Sequence, residues 1–170
     1  MLSRPFGEKA KHHRNRPVTR NPIEIGEVAC YLAEMSPHLS DAFRRDFPHL
    51  TADYGGDPAT TSMSAGFAIA DGWEPLFRRL LTEIETIRLA LPPAEAAKVK
   101  LLQVKEKWGG LRVYVDTEND AIQQALDQAE QESFGVCEKC GATGEDVFPQ
   151  GGGWVRTLCS SCRGEPKGLR

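Results

Sequence analysis

Trp73, Leu76, Phe77, Leu80, Leu81, Ile84 and Ile87 recur at helical spacing and define one apolar face. Arg78, Arg79, Glu83 and Glu85 fall mostly off that face. Asp71 and Glu74 stand at capping-box spacing with Pro75 in the first turn, so a helix is predicted from Asp71 to Leu91-Pro92. A second helix is predicted from Thr117, with Asp120 three residues on, to about Ser133. Its stripe is narrow: Ile122, Ala125, Leu126 and Ala129. Upstream, Asn21-Pro22 opens a short helix through Ile23, Val28, Ala29, Leu32 and Met35 that ends before Pro37. Ser40 is then read as the cap of another, in which Phe43 and Phe47 share a face and Pro48 is the stop. Residues 51–64 are rich in Gly, Thr, Ser and Asp and read as a loop, and residues 66–70 as a short strand.

Residues 99–116 switch to alternation and predict a β-hairpin. Gly109-Gly110 supplies two residues for a primed turn, which pairs Trp108 with Leu111, Glu106 with Val113 and Val104 with Val115. One face then carries Leu102, Val104, Trp108, Leu111, Val113 and Val115, with Glu106 among them. The other carries Lys105, Lys107, Arg112 and Tyr114. Glu106 is a carboxylate on an apolar face: either an acid of a binding or active site, or a structural ion pair at the sheet's margin. The Lys105, Lys107, Arg112 and Tyr114 face reads as an anion-binding patch or as a solubilising strand surface.

The expected fold is therefore α+β: helices packed on a small antiparallel sheet. Residues 21–134 form its body. With 170 residues, 40% of them hydrophobic, the chain can bury a core. No apolar run approaches the ~20 residues of a membrane span, and residues 1–20 have no apolar stretch of a secretory signal, so a cytoplasmic location is expected. The net charge of −3 hides an asymmetry. Residues 1–22 hold Arg4, Lys9, Lys11, Arg14, Arg16 and Arg20 against Glu8, a balance of +5. The rest keeps 15 of the 21 basic and 23 of the 24 acidic side chains, a balance of −8. Residues 1–20 are read as a basic, disordered arm, open to a nucleic-acid role, and residues 166–170 as a tail.

Composition changes the picture most at the C-terminus. Cys137, Cys140, Cys159 and Cys162 form C-x2-C-x18-C-x2-C, two tight thiol pairs as a tetrahedral ion needs. A zinc ribbon is predicted over residues 135–165, with one structural zinc ion. Residues 147–148 and 154–155 form its short hairpin, and Lys139, Arg156 and Arg163 offset the excess thiolate charge. Iron, two disulfides or a redox pair are the competing readings. Four cysteine ligands leave no position for water, which marks the ion as structural rather than catalytic. Cys30 is the odd cysteine, read as a small buried hydrophobe.

The run Asp71-Gly72-Trp73, the stretch Lys105-Glu106-Lys107-Trp108-Gly109-Gly110-Leu111-Arg112-Val113-Tyr114 and the four cysteines together resemble an uncharacterised family. Its members are small proteins of phages, prophages and bacterial accessory loci, with a GDGW helix start, a KEKFGGLRFY-like hairpin and a C-terminal four-cysteine ribbon. Ala70 stands where that family often has Gly, and Trp108 and Val113 where it has Phe. The resemblance spans roughly residues 66–163, agrees with the four ligands, and implies no established activity.

Walker, G-x-S-x-G and H-E-x-x-H motifs are absent from the sequence. The expected function is a non-enzymatic, zinc-stabilised factor that binds another, basic protein, of an immunity, antitoxin or phage–host kind. The alternatives are a nucleic-acid-binding accessory protein using residues 1–20 and the hairpin, and an enzyme built on Glu106.

Overall fold

Residues 34–164 are described by a computed structural model, and all of them fall in one compact unit. The helix expected from Asn21, together with Cys30 and the basic arm, lies outside the described residues, apart from its last positions. Met35 is buried, and its N–H donates to Phe67 O at 3.1 Å.

The first described helix, α1, spans Pro37–Asp46 with Ser36 at its N-cap. It starts earlier than the pattern predicts. Pro37 begins this helix instead of ending another, because a residue without an N–H fits the first helical position. Ser40 is buried inside α1 and caps nothing, while Phe47 closes the helix just before Pro48.

The longest helix, α2, spans Glu74–Ala90, and a 3-10 turn over Asp71–Trp73 leads into it. The expected capping box does not form: the Asp71 carboxylate instead accepts the Ser36 N–H at 2.7 Å, tying α1 to the start of α2. Leu76, Phe77, Leu80, Leu81 and Ile84 are buried as the periodicity requires. Phe43 of α1 packs at a tilt against Phe77, ring centroids 4.8 Å apart, and Phe67 meets both rings edge-on, which closes the core on that side. A one-turn helix α3 (Pro93–Ala96) follows.

The sheet has the order β1-β2-β3, with β1 at Phe67–Ala68, β2 at Leu101–Lys107 and β3 at Gly110–Val115. The β2–β3 hairpin is antiparallel as expected, but β1 adds to it in parallel, so the sheet is mixed. The turn is a two-residue primed one, yet it is Trp108-Gly109, not Gly109-Gly110. Lys107 pairs with Gly110, Glu106 with Leu111 and Val104 with Val113. This slip of two preserves parity, so from Gln103 onward each side chain except Trp108 keeps its expected face. A register shift between Leu101 and Gln103 has a second effect: Leu101 is buried, and Leu102 is turned out, 40% exposed.

Both turn residues are left-handed, Trp108 at φ 57° and Gly109 at φ 76°. Glycine takes this conformation freely; a tryptophan there costs about 1 kcal/mol or more. Trp108→Asn puts the favoured Asn-Gly pair in the turn. The unfolding free energy from denaturant melts should rise by about 0.5–1 kcal/mol. A fall would show that the indole stabilises the fold.

Helix α4 spans Asp120–Ser133 and starts two or three residues later than the sequence predicts, because Asn119 supplies the cap: its Oδ1 accepts the Ile122 N–H at 3.1 Å. Ile122, Ala125 and Ala129 are buried, and α4 packs on both α2 and β3.

Candidate metal centre

Each cysteine pair is set by a tight turn. Beyond the end of α4, Gly141 N–H donates to Cys137 O and Cys137 N–H to Ala142 O, both at 2.8 Å. Cys159 caps the one-turn helix α5 (Ser160–Arg163), whose Cys162 N–H returns to Cys159 O at 3.1 Å. Asp146 fixes α5 from outside: its carboxylate accepts the Ser160 N–H at 2.9 Å, and its carbonyl accepts from Arg163. The Ser160 hydrogen bonds hold Asp146 below the usual carboxylate range. Between the pairs, β4 (Phe148–Gln150) and β5 (Arg156–Leu158) form the ribbon hairpin. Its strands are shifted from the expected ones. Val147 is buried just ahead of β4, and Trp154 and Val155 lie in the turn.

The four sulfurs lie within 4.8 Å of one another, and Cys140 Sγ is 3.7 Å from Cys159 Sγ. Four thiolates at ~2.3 Å from one tetrahedral ion stand about 3.8 Å apart. The set is built to hold a metal ion. The electrostatics agree. Burial works against charge on Cys137, but the N–H groups of Cys159, Cys140 and Lys139 still bring its thiol from 9.0 to about 7. Cys162 is pushed up to about 12, mostly by the Cys140 thiol and then by burial. The protein alone favours a thiolate at Cys137 and disfavours one at Cys140 and Cys162; a dication supplies what those two need.

This segment is docked on the body through backbone. Gly72 N–H donates to Glu138 O at 2.9 Å, and the Trp73 indole N–H to Val136 O at 2.8 Å. A Cβ on Gly72 would sit 2.3 Å from Cys137 O, so only glycine admits the first cysteine turn. At the other end, the Thr157 hydroxyl donates to Gly109 O at 2.6 Å, and a Cβ on Gly109 would crowd Thr157, Pro149 and Val155. The helix start and the hairpin tip are thus the two seats of the ribbon.

Glu138, between the ligands, is 1% exposed and pairs with Arg156. Burial raises its pKa above 4.5 and Arg156 opposes the rise; its Oε2 has no hydrogen-bond partner. A raised folded pKa means the native state holds this proton longer than the unfolded chain. The contribution of Glu138 to stability is therefore fully present below pH about 4.5 and is lost as pH rises through the folded value. Arg156→Leu strips the one ion-pair partner of Glu138 among the described residues and should cost about 3 kcal/mol at neutral pH, less in acid. Unfolding of Arg156→Leu and wild type at pH 5 and 8 checks this; equal losses at both would discard it. Arg156 is thus committed to Glu138, and Arg163 lies over the Phe148 ring at 4.7 Å, so of the three expected cations only Lys139 makes no such contact among the described residues.

The hairpin surface does not form one patch. Arg112 pairs with Glu130, and Lys105 lies over the Tyr114 ring at 5.4 Å. Lys107 is exposed near the tip. Glu106 is half-buried, and its Oε1 accepts the Gly109 N–H at 2.6 Å, so it fastens the turn. The sequence reading passed over Trp108 and Trp154, 65% and 53% exposed, which line one cleft at the junction of hairpin and ribbon. The signal available was Trp154 after three glycines.

No protein-family model, curated protein or solved structure matches the chain. No helix among the described residues is long and apolar enough to cross a membrane.

Proposed function

We propose that this chain is a zinc-stabilised, non-enzymatic factor that binds another protein in the cytoplasm. Zinc is the ion that best suits four thiolates at tetrahedral spacing, and the closed set supports a structural role. The observation that carries the reading is the pair of exposed tryptophans, Trp108 and Trp154, at the junction the metal segment builds. Exposed aromatics around a cleft are the usual anchors of protein interfaces. Glu106 is given no catalytic step, since its Oε1 is committed to the turn. The likeness of the three motifs to those of phage and accessory-locus proteins supports an immunity, antitoxin or phage–host role.

A nucleic-acid-binding reading has less support. Arg112 is paired with Glu130 and Lys105 lies against Tyr114, while residues 34–164 carry 13 basic and 20 acidic side chains, a balance of −7. The full chain loaded with zinc and used as bait at moderate salt should retain one partner protein in stoichiometric amount after nuclease treatment. Recovery of none, together with tight binding of DNA or RNA at low salt, would reverse the preference.

A further inference from the structure

The cleft between Trp108 and Trp154 has a volume of about 310 Å3 and is walled by Glu106, Lys107, Gly153 and Val155. A second cleft of about 190 Å3 shares Glu106 and Trp154 with it and is lined farther along by Ala68 and Gln103. Three observations point to its occupant. Neither indole belongs to the core, and Trp108 holds a backbone conformation that asparagine or glycine takes with less strain, so the ring is not there for the turn. Glu106 is held at the cleft wall by the Gly109 N–H, while its Oε2 makes no hydrogen bond or ion pair among the described residues. The surrounding body has a balance of −7.

We propose that this cleft docks an arginine side chain from a basic, extended segment of a partner protein, an inference that rests on the protein-binding reading above. A guanidinium stacks on indole faces and pairs with a carboxylate at its edge, which a compact, strongly hydrated ammonium does less well. The acidic body attracts such a segment over distance and sets its approach. A single-stranded nucleic acid also stacks on tryptophans, but it requires a basic groove around them.

The full chain, loaded with zinc, is titrated at about 0.1 M salt with three probes: an arginine–glycine peptide of about nine residues, its citrulline counterpart, and an oligothymidylate of equal length. Tryptophan fluorescence and calorimetry are the readouts. The arginine peptide should bind at least about tenfold more tightly than the citrulline peptide. Trp108→Asn and Trp154→Ala should each weaken it about thirtyfold. Glu106→Gln, which keeps an acceptor for the Gly109 N–H, should weaken it about tenfold. Trp108→Asn should melt no lower than wild type, so its loss of binding is not unfolding; Trp154→Ala, in a solvent-exposed turn, is the second check. Equal binding of the citrulline peptide, tighter binding of the oligonucleotide, absence of peptide binding, or full affinity in both tryptophan variants would overturn the site. A stoichiometric partner whose binding ignores both variants would remove this docking site and leave the protein-binding reading standing.

Discussion

Chelating the metal should unfold the ribbon and lower the melting temperature of the whole chain. The segment's own core is Cys137, Val147, Leu158 and Cys159, with Cys162 against it, so three of five members are ligands. Val147 and Leu158 alone contribute a few kcal/mol of burial, against about 10–16 kcal/mol of apparent binding energy for a structural zinc. Hydrogen exchange should locate the loss. The amides of Gly72 and Glu138, bonded to Glu138 O and Thr157 O, should lose protection first, and those of α2 last. Cys137→Ser, at the most buried ligand, should mimic chelation. The affinity should also depend on pH with a definite sign. Binding needs thiolates, so it displaces protons and strengthens as pH rises. Below about 7 the Cys137 thiol is protonated too, and the affinity should fall more steeply. Competition titrations at pH 6, 7 and 8 measure that slope. One equivalent of bound zinc is expected, and a melting temperature indifferent to chelator would refute the metal's structural role.

Gly72→Ala should be severely damaging although it adds a single methyl. The added Cβ would lie 2.3 Å from Cys137 O and 2.6 Å from the carbonyl carbon and oxygen of Glu138. All are backbone atoms, so no side-chain rotation relieves the overlap. Backing the cysteine turn away breaks the Gly72–Glu138 bond and pulls on Val136 O, which holds the Trp73 indole. We expect a loss of about 3 kcal/mol or more, together with weaker metal binding, because the same turn carries Cys137 and Cys140. Gly153→Ala is the control: nothing lies within 4 Å of its Cβ position, and a change within about 0.5 kcal/mol is expected. Guanidinium melts of both variants decide it. A Gly72→Ala chain as stable as the control would mean that the ribbon is not seated as described.

Much of the candidate site was legible in the chain because its grammar is local. The four ligands follow from two C-x2-C turns, each closed within a few residues. The apolar stripes of α2 and α4 follow from a 3.6-residue repeat that each helix carries by itself. Apart from Leu102 and Trp108, the alternation of β2 and β3 set their faces correctly even though the pairing was misplaced by two, since an even slip leaves inside and outside unchanged. What was misread was what neighbours decide. Trp108 counts as an apolar position in any pattern, but the turn takes it and puts it in solvent. Asp71 and Glu74 have capping-box spacing, but Ser36, 35 residues away, claims the carboxylate. Glu106 stayed open between a site acid and a structural ion pair because its acceptor role, to Gly109 N–H, depends on the turn's true position.

By itself, then, the sequence determined the elements whose causes lie within one turn or one hairpin: two amphipathic helices, an alternating pair of strands, and a four-thiolate metal site. The tertiary structure alone decided the parallel β1, the seating of the ribbon on Gly72 and Gly109, and the cleft between Trp108 and Trp154. Those contacts join residues that are tens of positions apart. Only packing selects them, because the closeness of two backbones is a property of the folded chain and is written in no local pattern.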